Sequence, residues 1–169
     1  DPPGDYIAIG IRNSFGLAID PVTGYLWDTE NGPDKFDEIN LINKKFNSGW
    51  AKIQGPSDLK INSPPGYEEY EYEDPKFNWE SPIGITALDF ADSSMFQKYE
   101  NWLFVADSNN GNIYKFRLNE DRTDFVFENK HLQDKIVNLL QNDPIENEPM
   151  DEILFGTNFG LISDIEFGP

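Results

Sequence analysis

Residues Arg12 to Trp50 read RNSFGLAIDPVTGYLWDTENGPDKFDEINLINKKFNSGW, and their pattern decides the fold. Phe15 to Ile19 and Tyr25 to Thr29 are short runs rich in β-branched and aromatic residues. Between them lies Asp20-Pro21-Val22-Thr23-Gly24. Proline presets φ at a turn and glycine supplies a positive φ, so this is a β-hairpin. A second turn, Glu30-Asn31-Gly32-Pro33, leads through Asp34, Asp37 and Glu38 into a third run, Glu38 to Ile42. Trp50 to Ile53 is expected to be the fourth strand. Three or four short antiparallel strands in succession are the pattern of one propeller blade.

The same stretch carries a family likeness. Arg12-Asn13 with Gly16-Leu17, the turn at 20–24, Glu30-Asn31-Gly32-Pro33, Asp37-Glu38-Ile39-Asn40-Leu41-Ile42 and Asn47-Ser48-Gly49-Trp50 occur in that order. Together they resemble the soluble pyrroloquinoline-quinone (PQQ) sugar dehydrogenases, the glucose/sorbosone dehydrogenase family. A looser likeness continues through Trp102 to Val105, Gly111 to Tyr114, Ser163 to Ile165 and Gly168-Pro169. The resemblance implies an all-β chain, a fragment of about three blades of a six-bladed β-propeller. It implies sugar oxidation by hydride transfer to PQQ, with a histidine as general base placed ahead of the Arg-Asn pair. Arg12 and Asn13 match cofactor contacts: a guanidinium pairs bidentately with carboxylate, and an amide donates to a quinone oxygen. Gly32 and Pro33 match carbonyl ligands of the calcium under PQQ. Glu38 and the backbone carbonyl at Ser48 match a second, structural calcium; calcium takes six to eight hard oxygens. His131, the single histidine, is not expected to be the base, and no catalytic residue is assigned.

The sequence also departs from the family. Two arginines that the resemblance would place near the cofactor are Leu161 and Ser163, and an expected lysine is Asn109. Each lost charge-assisted hydrogen bond is worth about 1.5–3 kcal/mol. The alternative reading is therefore a propeller that kept the scaffold and lost PQQ, acting as an extracellular carbohydrate- or protein-binding module.

Composition narrows the classes. Thirteen Lys and Arg face 31 Asp and Glu across 169 residues, a formal net charge of −18. Such a surface repels nucleic acid and anionic membranes, so neither is an expected partner. The absence of cysteine excludes disulfides, thiolate zinc sites and thiol catalysis. No apolar run approaches the ~20 residues of a membrane span. An extracellular or periplasmic location and a sugar or glycan partner follow from the family likeness.

Outward from the opening stretch, Tyr6 to Ile11 reads as a strand that delivers Arg12 and Asn13 to its end. Residues 1–55 are expected to form the first blade and 56–82, with its alternating Tyr and acids, a covering loop. Ile83 to Phe90, Asn101 to Ala106, Asn112 to Leu118 and Asp124 to Glu128 would form a second blade over 83–129. Residues 130–151 are expected to be an insertion, with a short helix over His131 to Gln141. Glu152 to Phe155 and Ser163 to Phe167 would open a third blade at 152–169. Exposed blade edges at both ends point to homo-oligomerisation.

Overall fold

The computed structural model describes residues 6–137 and 150–168. β1 (Ala8–Ile9), β2 (Ser14–Ile19), β3 (Leu26–Glu30), β4 (Asp37–Ile42), β5 (Phe46–Asn47), β6 (Glu71–Tyr72) and β7 (Phe77–Trp79) come first. β8 (Ile85–Phe90), β9 (Leu103–Asp107), β10 (Ile113–Phe116), β11 (Ile136–Val137) and β12 (Leu154–Gly156) follow. Only short 3-10 turns interrupt them, and the described residues contain no α-helix. The chain is mostly sheet, and the described strands form three open sheets rather than a closed barrel.

The first sheet has the order β11-β7-β4-β3-β2 and the second β12-β10-β9-β8. Antiparallel hairpins build both: β2 pairs with β3, β3 with β4, β8 with β9 and β9 with β10. The β2–β3 turn closes as its residues dictate. The Asp20 carboxylate accepts from the Val22 amide at 3.0 Å and the Thr23 hydroxyl at 2.6 Å, and Gly24 takes φ +76°. A small parallel sheet, β1-β5-β6, lies beside the first.

Alternation of side chains across the pleat sends one face of each large sheet into a common core. Trp27, Ile39, Phe77 and Trp79 meet Leu88, Val105, Tyr114 and Phe116 there. Ring centroids lie 4.9 Å apart for Phe77–Phe116 and 5.1 Å for Trp79–Tyr114. Such pairs add about 0.5–1.5 kcal/mol each beyond the area they bury.

Several strands differ from the sequence expectation. Residues 50–53 form a turn, and the strand that flanks β4 is β7, from within the 56–82 segment expected to be a covering loop. That segment also supplies β6. Residues 124–128 contribute a single bridge, Leu118 to Phe125, and the fourth strand of the second sheet is β12, which the sequence assigned to a third blade. The helix expected at 131–141 begins as a 3-10 turn at Lys130–Leu132 and runs into β11; its remainder lies outside the described residues. Residues 163–167 are not a strand: the Phe167 amide donates to the Asp89 carboxylate at 2.8 Å and its ring packs on Phe104.

Candidate functional site

β3 and β4 lie opposite each other with Asp28 facing Asn40 and Glu30 facing Glu38. These four polar residues share one face, since side chains two apart on a strand point the same way. The other face carries Trp27, Ile39 and Leu41 into the core. All four polar residues are nonetheless buried. The 46–55 segment covers them: the Ser48 hydroxyl donates to Glu30 at 2.6 Å and the Gly55 amide to Glu38 at 2.7 Å. The parallel pairing of β1 with β5 holds that cover in place, with the Ser48 amide donating to the Ile9 carbonyl at 3.1 Å.

Five of the six residues singled out from the sequence, Arg12, Gly32, Pro33, Glu38 and Ser48, line one small cavity of about 10 Å³ together with Glu30 and Trp50. That is close to the space of a single water or ion. The Arg12 amide donates to Glu30 at 2.5 Å, and its guanidinium donates to the Asn31 carbonyl at 2.7 Å and lies over the Trp50 ring. No ion pair of Arg12 occurs among the described residues. Asn13 stands beside the cavity, its carbonyl accepting the Asn31 amide at 3.0 Å. Gly32 is where the turn doubles back: a Cβ there would collide with the carbonyls of Lys35 and Phe36.

The three acids that follow the Gly-Pro turn part company. Asp34 is exposed. The Asp37 carboxylate is spent on backbone amides, from Gly32 and from Ile83, Gly84 and Ile85, at 2.8–3.2 Å. Glu38 alone faces the cavity. The residues that sequence reasoning missed are Glu30, Asp28 and Asn40. Their signal was present as period two: Asp28-x-Glu30 on one strand and Glu38-x-Asn40 on the next.

Electrostatics make this face costly without a cation. Burial, then the charge of Glu30, push Glu38 up to about 8 and Asp28 up to about 7. Burial raises Glu30 too, against hydrogen bonds from Ser48 and the Arg12 amide. Like charges directly opposite on paired strands are destabilising. Asp28 Oδ1 and Asn40 Oδ1 are buried with no hydrogen-bond partner. No three acidic or histidine side chains among the described residues converge on one point, so a hard cation here would draw part of its shell from carbonyl and hydroxyl oxygens.

The positions that depart from the family likeness, Asn109, Leu161 and Ser163, do not line this cavity. Asn31 donates to the Ile85 carbonyl, and Gly84 sits against Ser108 and Asn109. Gly111 abuts Gly160, next to Leu161, which is exposed. His131 lies elsewhere, exposed on its 3-10 turn, its amide bonded to Asn129.

Residues 5–142 match the family model Glucose / Sorbosone dehydrogenase. The chain belongs to the glucose/sorbosone dehydrogenase family. More particularly, it is 30% identical over 116 residues to the aldose sugar dehydrogenase YliI of Escherichia coli strain K12. That match covers 67% of this chain and 31% of that protein. It is 48% identical over 50 residues, 30% of this chain and 10% of the other, to quinoprotein glucose dehydrogenase B of Acinetobacter calcoaceticus. Among solved structures, the apo-form of the soluble E. coli aldose sugar dehydrogenase matches with a TM-score of 0.55 at 28% identity, over 69% of this chain and 34% of that one. The PQQ-bound aldose sugar dehydrogenase of Streptomyces coelicolor matches in fold, with a TM-score of 0.51 at 23% identity over 69% and 29%. The chain thus spans about a third of the length of these full-length relatives.

Proposed function

We propose that this chain is part of a calcium- and PQQ-dependent aldose dehydrogenase built as a six-bladed β-propeller. The observation that carries the reading is the cavity at the Gly32-Pro33 turn. It is lined by Arg12 and by the buried carboxylates of Glu30 and Glu38, in a chain of the glucose/sorbosone dehydrogenase family.

Calcium fits the residues present. The donor set is oxygen throughout, two carboxylates face each other, and nearby carboxylate and amide oxygens lack partners. Glu38 and Glu30 would hold the ion, with Ser48 and the Gly32 and Pro33 carbonyls completing its shell. PQQ, when bound, accepts the hydride of the sugar. Toward it this chain offers Arg12, whose guanidinium has one backbone partner and no acidic one among the described residues. Trp50 beneath that guanidinium restricts its orientation. The Asp37 carboxylate fixes the Gly32 amide and the start of β8.

A specific observation supports the alternative, a propeller that binds saccharide or protein without oxidising it. Leu161 presents an exposed apolar side chain where the family likeness calls for a cation. The deciding experiment uses the complete protein with calcium and PQQ, following aldose-dependent reduction of a dye. Turnover that disappears in Arg12→Ala supports the dehydrogenase. A folded protein that neither takes up PQQ nor reduces the dye leaves the binding module. We place the protein outside the cytoplasm on the family likeness; no helix among the described residues is long and apolar enough to cross a membrane.

A further inference from the structure

One edge of β10 carries β9, and two different segments share the other. β12 pairs with it at Ile113 and Tyr114, and the Lys115 amide donates to the Ile153 carbonyl at 2.7 Å. Then the partner changes. The Val126 amide donates to the Arg117 carbonyl at 2.9 Å, and Leu118 bridges to Phe125. The Glu152 carboxylate ties the two segments together, accepting from the Glu128 and Asn129 amides at 2.8 and 2.9 Å. Between them lies a cavity of about 170 Å³, which shares no lining residue with the one beside Arg12.

Its lining joins apolar walls to two cations. Trp102, Val126, Phe127 and Ile153 are the apolar part. Lys115 and Arg117 alternate along the chain with Tyr114 and Phe116, which enter the core, so the two cations share the opposite face. Thirteen cations serve 31 acids in this protein, yet neither of these two has a carboxylate hydrogen bond among the described residues. Lys115 Nζ donates to the backbone carbonyls of Leu154 at 2.9 Å and Asp151 at 3.4 Å. The Arg117 guanidinium has only the exposed Glu128 carboxylate, at 3.7 Å, and exposed pairs of that kind are weak. An ammonium carries three donors and a guanidinium five, so both heads keep donors to spare. Burial lowers the proton affinity of Lys115, and a carboxylate beside it would restore that affinity. Mostly apolar walls with a few placed polar groups are usual for ligand sites.

We infer that this cavity binds a monocarboxylate with a flat apolar body, of the benzoate class. Its carboxylate bridges Lys115 and Arg117 and takes the place of Glu128, while its ring lies against Trp102. The net charge of −18 disfavours anions of higher charge. Nothing in this site depends on the dehydrogenase reading.

The test titrates the complete protein calorimetrically with benzoate, with its neutral isostere benzamide and with inorganic phosphate. Benzoate should bind saturably, at least tenfold more tightly than either of the others, and should raise Tm, since a ligand that binds only the folded state stabilises it. Arg117→Gln should weaken benzoate about tenfold, in keeping with the loss of one charge-assisted hydrogen bond. Glu128→Gln, which removes the competing carboxylate, should tighten it. Both side chains are exposed, and it is the Glu128 amide that bonds to Glu152, so both variants should fold. Lys115→Met should abolish binding; where loss of its bonds to the Asp151 and Leu154 carbonyls unfolds the protein, the two exposed variants still decide. Benzoate binding that is absent, matched by benzamide or phosphate, or unmoved by Arg117→Gln overturns the inference.

Discussion

Glu38 and Glu30 face each other across paired strands, under a cover that leaves room for little more than an ion. In metal-free protein their raised proton affinity has a definite sign. The folded chain retains protons that the unfolded chain has released, so stability falls as pH rises from the ordinary carboxylate range, about 4.5, to about 8. On the proposed reading, calcium would replace those protons. Denaturant midpoints measured in chelator should therefore drop across that window, and midpoints in calcium should stay level through it. At calcium one hundred times its dissociation constant the ion adds about 2.7 kcal/mol, a rise in Tm of roughly 5–10 °C for a chain of this size. Glu38→Gln should show neither the calcium shift nor most of the pH slope. An equal calcium shift in that variant would place the ion elsewhere.

At the scale of elements, the two large sheets are tied by side chains as well as by their core. Arg122 reaches from the turn after β10 to the Asp20 carboxylate in the β2–β3 turn, donates to the Asn101 carbonyl at 2.8 Å and lies over Phe90. Asp20 is fully buried and Arg122 is 13% exposed on its side chain. Breaking a buried pair by removing one partner strands the other charge and costs about 3–5 kcal/mol. Arg122→Met should lower the unfolding free energy by that much at pH 7. Against the effect of burial, Arg122 and the turn's hydrogen bonds hold Asp20 below the usual carboxylate range. The loss should therefore shrink as pH falls through that depressed value and Asp20 takes up its proton.

The hairpins were legible because their evidence is local: alternation, an Asp-Pro turn and a glycine within a few residues of one another. β7 and β12 were not. Each is three residues long, each lies more than thirty residues along the chain from its nearest antiparallel partner, and what makes it a strand is that partner's open edge. The same contrast holds at the site. Arg12, Gly32, Glu38 and Ser48 were readable as a motif, whereas the opposition of Glu30 to Glu38 requires the register of β3 on β4.

At the scale of the whole molecule, β2 is the last strand of its sheet and presents Phe15, Leu17 and Ile19, 57–67% exposed, along one side. A contiguous apolar row beside an unpaired edge invites pairing. In line with the homo-oligomerisation expected from open edges, this chain on its own should sediment as a dimer or larger species at micromolar concentration. Leu17→Glu, exposed and remote from the core, should shift it to monomer without loss of fold. The high negative charge opposes association, so raising salt should strengthen it in the parent chain.

β7 follows the long 56–76 segment, and the Asp37 carboxylate reaches past that segment to the start of β8. The covalent link through its exposed Pro64–Gly66 tip is consequently dispensable to the architecture. A protease nick there would leave two polypeptides but one domain. The halves expressed separately would be natural candidates for a split reporter that regains its shape when they meet.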